Sequence, residues 1–385
     1  MAAAAKNRRM PLTARQLNRA TLARQMLLRR EPLDVVDAVR RIVAIQAQEP
    51  ASPYIALWTR IAGFDPAELD AAFADHAVVK ASLLRITLHA VHADDYPVFH
   101  NAMAPSLRGS RLNDARFEPS GLSVADVDRL LPDFIRSVTH PHSVAELEAR
   151  LVEQLGEPRE RLWWALRTFA PLMHVPTGGP WSFGPRASFV APPEILPPER
   201  HGESVRWLVR RYLEGFGPAS VRDVAQFTVL RAPVVRDAIR ELSDELVRLE
   251  GPDGIQLFDV PGGLLPPEDT VAPTRLLPMW DSALLAYADR SRVIAPEDRK
   301  VVIRQNGDIL ATLLVDGHVA GVWRPVEGGI EASAFRRLSD EEWEGLATEA
   351  RSLVGFLAGR DPQVYRRYAH WWKTLPSADV RVLPG

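Results

Sequence analysis

The sequence predicts an α+β fold: tandem units of helix, turn, helix and β-hairpin, then an antiparallel β-barrel-like region with a closing helix. Three observations carry this expectation. One order of signals occurs twice at nearly one length, with 35 residues from Ser143 to Gly178 and 34 from Ser220 to Gly254. After Pro296 the chain changes to short β runs broken at Asn306-Gly307, Asp316-Gly317 and Gly328-Gly329, which are turn signals. The 385 residues also exceed one average domain, so several compact units are expected.

The first region is the least regular. Thr13 can cap a helix bearing Leu17, Leu27 and Leu28, and Pro32 opens another. In that second helix Val35, Val36, Val39, Ile42 and Val43 fall on one face. It should fade near Gln46–Gln48, because Glu49 precedes Pro50 and is pushed toward extended geometry. Ser52-Pro53 reads as an N-cap with proline at the first helical position, opening a helix with Ile55, Trp58 and Ile61. Asp65-Pro66 begins a shorter helix, and VVKASLLRITLHAV reads as strand. The two glutamines are thus expected in a bend between helices.

The repeats are clearer. Ser143 caps VAELEARLVEQL, PRERLWWALRTFAPL follows, and MHVPTGGPWSFGPRASFV supplies two extended runs. Ser220 caps VRDVAQFT, APVVRDAIREL follows, and LVRLEGPDGIQLFDV reads as a hairpin around Asp253-Gly254. Helix-turn-helix plus hairpin is the winged-helix plan. The expected units are residues 10–118 (winged-helix-like, with the glutamines), 119–198 and 199–290 (winged helices), and 291–360 (β region and closing helix). The closing helix is expected from Asp340 to Leu357, and the proline-rich APPEILPPER and VPGGLLPPEDTVAP are the linker candidates.

Composition narrows the function. Apolar residues are 46% and charged residues 25%, ordinary for a globular protein. The absence of cysteine excludes thiolate chemistry. No apolar signal segment follows the N-terminal basic residues and no run of eighteen apolar residues occurs, so a cytoplasmic protein without a membrane partner is expected. The net charge of −2 gives no global pull toward DNA. However, 43 of the 47 basic residues are arginine, which suits phosphate and base-edge contacts; a GC-rich genome produces the same bias.

Glycine-rich phosphate loops, GxSxG elbows and HExxH motifs are missing. His89 and His92 would point to opposite faces of a strand, and His140 and His142 flank Pro141 in a turn. No metal and no cofactor are expected. Asp281, Asp289, Arg290 and Arg292 lie close in WDSALLAYADRSRV and read as an ion-pair network joining the third winged unit to the β region.

Winged helices usually dock on nucleic acid, although tandem copies also serve as protein-binding modules. Near the tip of the first wing, Arg186 could enter a minor groove and Trp181 could wedge between bases; packing of Trp181 and Phe183 on the sheet is the plainer alternative. Arg85, Thr87 and His89 alternate along LLRITLH, and would share a strand face near the glutamine bend. Gln46-Ala47-Gln48, by itself, reads as buried or helix-capping. Yet two amides can orient a water through paired donors and acceptors without becoming charged. They cannot strip its proton efficiently, so such a site suits a leaving group that departs easily.

Taken in order, IVAIQAQEP, SPYIALWTRI, SLLRITLHAVHADDY, GFGPASVRDVAQF, WDSALLAYADRSRVI and TLLVDGHVAGVWR resemble the winged-helix DNA glycosylases of the AlkZ/YcaQ superfamily, over roughly residues 12 to 355. The AlkZ-like branch carries Gln-x-Gln where the YcaQ-like branch has aspartate second, and Gln46 and Gln48 match the former. The resemblance implies tandem winged helices in a C shape and Gln46 and Gln48 as the catalytic pair. It also implies hydrolysis of the N-glycosidic bond of alkylated purines in double-stranded DNA, by a monomer. AlkZ-like members are associated with self-resistance to DNA-alkylating antibiotics, some unhooking interstrand crosslinks. Tyr287 stands where members often have histidine, which would alter lesion preference if that position faces DNA. Arg85, His89, Trp181, Arg186 and Tyr287 are the expected DNA contacts. Lyase chemistry needs a placed amine, and Lys80 is the lone lysine between Lys6 and Lys300, so a monofunctional enzyme is expected. A non-catalytic DNA-binding regulator and a protein-binding scaffold are the alternatives.

Overall fold

The computed structural model describes residues 11–384, and the opening MAAAAKNRRM, with Lys6, lies outside them. Local rules set most helix starts. Thr13, Ser143, Ser220 and Ser339 each form a reciprocal capping box, which satisfies two orphan amides at once. Helix Val144–Leu155 then stops at Gly156, in the left-handed region that favours glycine.

The N-terminal unit departs from its expected course. Asp34, not Pro32, caps helix Val35–Ile42. That helix ends abruptly at Val43, whose φ is 73°, rather than fading into the glutamines. Ile45–Gln46 form a two-residue strand, β1, so Gln46 lies in a sheet and not in a helix bend. The run expected as one strand is a hairpin of β2 (Val78–Ser82) and β3 (Leu88–His92). The tight turn Leu84–Ile86 joins them, with Arg85 and Ile86 at φ 56° and 58°. Arg85 therefore does not share a strand face with His89. Non-glycine residues seldom adopt this backbone, and propensity gives no sign of it.

The second unit adds β4 (His142–Ser143), β5 (Met173–Val175) and β6 (Ser188–Val190). Pairing of β2 with β5 at Lys80 and His174 fuses both units into one six-stranded sheet, ordered β1-β3-β2-β5-β6-β4. In the third unit, helices Val221–Thr228 and Ala232–Glu241 precede the hairpin of β7 (Val247–Glu250) and β8 (Gln256–Asp259), turning through Asp253 and Gly254. Winged-helix elements are thus present in an α+β fold.

The C-terminal β region is not barrel-like. It is an open antiparallel sheet, ordered β13-β12-β11-β10-β9. Its strands are β9 (Arg275–Leu277), β10 (Thr312–Val315), β11 (His318–Val326), β12 (Gly329–Ala334) and β13 (Asp379–Pro384). A barrel closes only when its edge strands meet, whereas β9 bonds β10 and β13 bonds β12, leaving the two edges apart. Helix Asp340–Ala358 packs against β9, β12 and β13. It reaches both edge strands of the sheet without joining them.

The expected ion-pair network around Asp281 also differs. Asp281 takes a bidentate bond from Arg60, at 2.8 and 2.9 Å, both side chains being buried. Asp289 instead accepts from the Ser291 amide. Arg292 lies 3.9 Å from the Tyr287 ring centroid and donates to the Pro218 carbonyl. Asp281 thus joins distant parts through Arg60 and not through its neighbours in sequence. Asp281→Ala should destabilise the protein by about 3–5 kcal/mol in denaturant unfolding, because it strands a buried guanidinium. A loss below about 1 kcal/mol would show that the pair is not what joins these regions.

Candidate active site and DNA interface

The site grows from the short strand β1. Behind Val43, Gly215 leaves no room for a side chain, since an added Cβ would lie 2.6 Å from Val43 Cγ2. The Ala44 carbonyl accepts from Ser282 Oγ at 2.8 Å, next to the anchored Asp281. Gln46 then faces His89, and Ala81 lies opposite His89 on β2, so these three residues share one sheet face. The Ala47 amide donates to the Leu88 carbonyl at 2.8 Å, extending the pairing.

Two side chains of that face each carry an enclosed polar atom. Gln46 is 4% exposed and its Oε1 has no partner; His89 is fully enclosed and its Nε2 has none either. His89 Nδ1 is 3.1 Å from the Thr87 carbonyl, which can only accept, so Nδ1 carries the proton and Nε2 is an acceptor. Burial holds the imidazole down at about 4, with the Arg85 charge adding and the Thr87 bond opposing. Both Gln46 and His89 are therefore uncharged near neutral pH. Buried acceptors left bare are uncommon and point to a donor that binds there.

Gln48 is exposed where the chain bends away. Beside it, the Glu49 carboxylate is held by Arg367 at 2.7 Å and by the Tyr368 hydroxyl at 3.3 Å. These partners come from the far end of the chain, so no local pattern marks them. Lys80 lies on the opposite sheet face, in register with Ala90. Burial pushes its amine down to about 8, partly offset by Glu49, and its Nζ sits 4.1 Å from the Phe183 ring centroid.

The other expected contacts divide by exposure. Trp181 is 5% exposed and packs between Tyr54 and Phe356, so it offers no wedge to DNA. Phe183 packs edge-on to Phe73. The wing folds inward because these rings complete an aromatic cluster with the N-terminal unit. Tyr287 is also enclosed, its hydroxyl 2.7 Å from Thr21 Oγ1 and donating to the Phe216 carbonyl at 2.9 Å. It does not face a concavity. Arg186 is exposed and Arg85 half-buried.

Sequence-family comparison matches residues 39–356 to the model described as DNA glycosylase AlkZ-like. The chain belongs to the AlkZ-like DNA glycosylase family. Over 346 residues, AlkZ-like similarity reaches 26% identity with the interstrand DNA cross-link repair glycosylase of Streptomyces sahachiroi, covering 83% of this chain and 90% of that protein. The solved Streptomyces sahachiroi DNA glycosylase AlkZ shares the fold, with a TM-score of 0.75 at 22% identity over 90% of this chain and 96% of that one. Membership in the AlkZ-like family brings DNA glycosylase function at the level of the family, with DNA as the partner. Among the described residues no helix is long and apolar enough to cross a membrane.

The Glu49 clamp makes a specific expectation. Arg367→Ala removes a half-exposed pair that contributes under about 1 kcal/mol, so the unfolding midpoint should barely move. Single-turnover base release should nevertheless slow several-fold, because the residue after Gln48 loses its anchor. An unchanged release rate would show that the clamp does not position the loop.

Proposed function

We propose that this protein is a monofunctional DNA glycosylase that hydrolyses the N-glycosidic bond of purines made cationic by alkylation, with Gln46 and Gln48 as its catalytic pair. The observation carrying this reading is the enclosed, uncharged acceptor pair of Gln46 Oε1 and His89 Nε2 on one sheet face. A water held there could donate to these acceptors while its oxygen lone pair turns toward C1′ of the sugar, and Gln48 would meet the nucleotide from the exposed side.

The bond from C1′ to N9 breaks with its electron pair passing to the base, which leaves neutral. Water oxygen bonds to C1′, and the proton it loses passes to solvent. The base needs no protonation, because N7 alkylation has already supplied the positive charge. Positioning and electrostatics are the remaining tasks. The placement of Lys80 on the far sheet face supports hydrolysis over Schiff-base lyase chemistry, and Arg186 and Arg85 remain as candidate DNA contacts.

A crosslink through two guanine N7 atoms presents the same cationic leaving group, so the proposal includes crosslinked duplexes. The name of the Streptomyces sahachiroi relative supports that reach.

Single-turnover release of N7-alkylguanine from duplex DNA tests the assignment. Gln46→Ala and Gln48→Ala should each lose about 10²-fold in rate while still binding the duplex. Normal excision by both variants, or no release by the wild type, would sink it. The rate should also be flat between about pH 6 and pH 8, because His89 stays neutral above its value of about 4. Loss of rate as the pH falls through 6.5, the ordinary histidine value, would show that Nε2 is not the held acceptor.

A further inference from the structure

Beside the Gln46 face lies a cluster of positive charge without a counter-charge. Arg85 is in the strained turn between β2 and β3, and Arg290 begins the short turn Arg290–Arg292. Both are half-buried, and the Nε atom of each is enclosed without a partner. Burial lowers both guanidinium values. For Arg290, brought to about 10, the charges of Arg85 and Arg299 add to the effect, and no carboxylate acts on either residue. No ion pair to Arg85 or Arg290 occurs among the described residues, whereas the buried Arg19, Arg60 and Arg211 each have one.

Two like charges partly withdrawn from water are unfavourable unless an anion joins them. The fold nevertheless holds Arg85 in place. With its amide oriented to satisfy both ends, Gln226 accepts from Arg85 Nη1 at 2.8 Å and donates to the Leu285 carbonyl at 3.2 Å. Arg85 and Ile86 are both kept in left-handed backbone, a cost that tends to persist at functional sites.

The cluster is continuous with the candidate site. The Arg85 charge acts on His89, whose ring meets Phe227 edge-on with centroids 6.3 Å apart, and His89 is the cross-strand neighbour of Gln46. On the other side, Gln226 lines a shallow groove of about 610 Å³ with Arg222 and Arg236, on the helix-turn-helix of the third unit. Both of those arginines are exposed.

We propose that Arg85 and Arg290 bind one backbone phosphate of the duplex beside the nucleotide presented to Gln46, with Gln226 holding Arg85 in position. This rests on the reading of the protein as a DNA glycosylase and adds to it a site that fixes the register of the strand. A phosphodiester fits the chemistry: it supplies an anion with several acceptor oxygens to two guanidinium forks, and the groove beyond provides cations for its neighbours. Arg290, expected from sequence to be part of an ion-pair network, takes the role of a phosphate ligand.

Binding of an unmodified duplex by full-length protein, measured across salt concentrations, tests the site. The Arg85→Gln/Arg290→Gln double variant should lower the slope of log affinity against log salt by about one. The corresponding double lysine variant should keep the slope, and Arg351→Gln, on the distant closing helix, should leave it unchanged. Neutral methylphosphonate linkages are then placed singly on either side of a stable abasic-site analogue. One position should weaken binding by the wild type but not by the double glutamine variant. An unchanged slope in that variant, or equal losses in both proteins at every position, overturns the proposal. Base release by wild type with an unchanged slope removes the phosphate site alone. Failure to release base removes the glycosylase reading, while the slope still decides the phosphate site.

Discussion

The site depends on a two-residue ladder. Ile45 and Gln46 pair with Ala90 and His89, and side chains alternate across a sheet, so a slip of one residue would turn Gln46 to the face now occupied by Ile45. A ladder this short cannot hold its own register. The surroundings do so: Val43 stops the preceding helix against Gly215, Ser282 grips the Ala44 carbonyl, and Ala47 bonds Leu88. Behind Ser282 stands the buried Arg60–Asp281 pair. Stability in the core is thus converted into the placement of one amide, while Arg367 and Tyr368 secure the far side of Gln48 through Glu49.

The distribution of charge follows the proposed chemistry. A cationic base would be repelled by a positive charge placed beside it in a region of low polarity. Gln46 cannot ionise, burial keeps His89 neutral, and the buried lysine lies on the other side of the sheet. Positive charge is instead gathered at Arg85 and Arg290, outside the enclosed pair, where the duplex backbone would pass. The uncharged interior and the cationic margin are separated by little more than the hairpin turn that carries Arg85.

What could be read from the residues was mostly local. Thr13, Ser143 and Ser220 announced their helices because a cap and its partner three residues on are adjacent in the chain. The two helix–helix–hairpin orders were visible for the same reason. Nothing local marks Val43, Arg85 or Ile86 as left-handed, since none is glycine, so the strand β1 and the turn before β3 are not legible in the sequence. The open C-terminal sheet differs from the expected barrel-like region because β9 and β13 lie outside the run of turn glycines that suggests closure. Trp181 and Tyr287 looked available to DNA only because their partners, Phe356 and Thr21, are far away in sequence. The glutamine spacing drew attention to the site, but the enclosure of Gln46 opposite His89 required the register.

The central claim is that an uncharged site acts because its substrate arrives charged. The most direct measurement compares single-turnover release of two guanines carrying the same alkyl group in the same duplex, one at N7 and cationic, the other at O6 and neutral. The account predicts release of the N7 adduct and retention of the O6 adduct, although both bind. Equal release rates would contradict it, because a neutral purine could then leave only with a proton donor that Gln46, Gln48 and His89 do not supply.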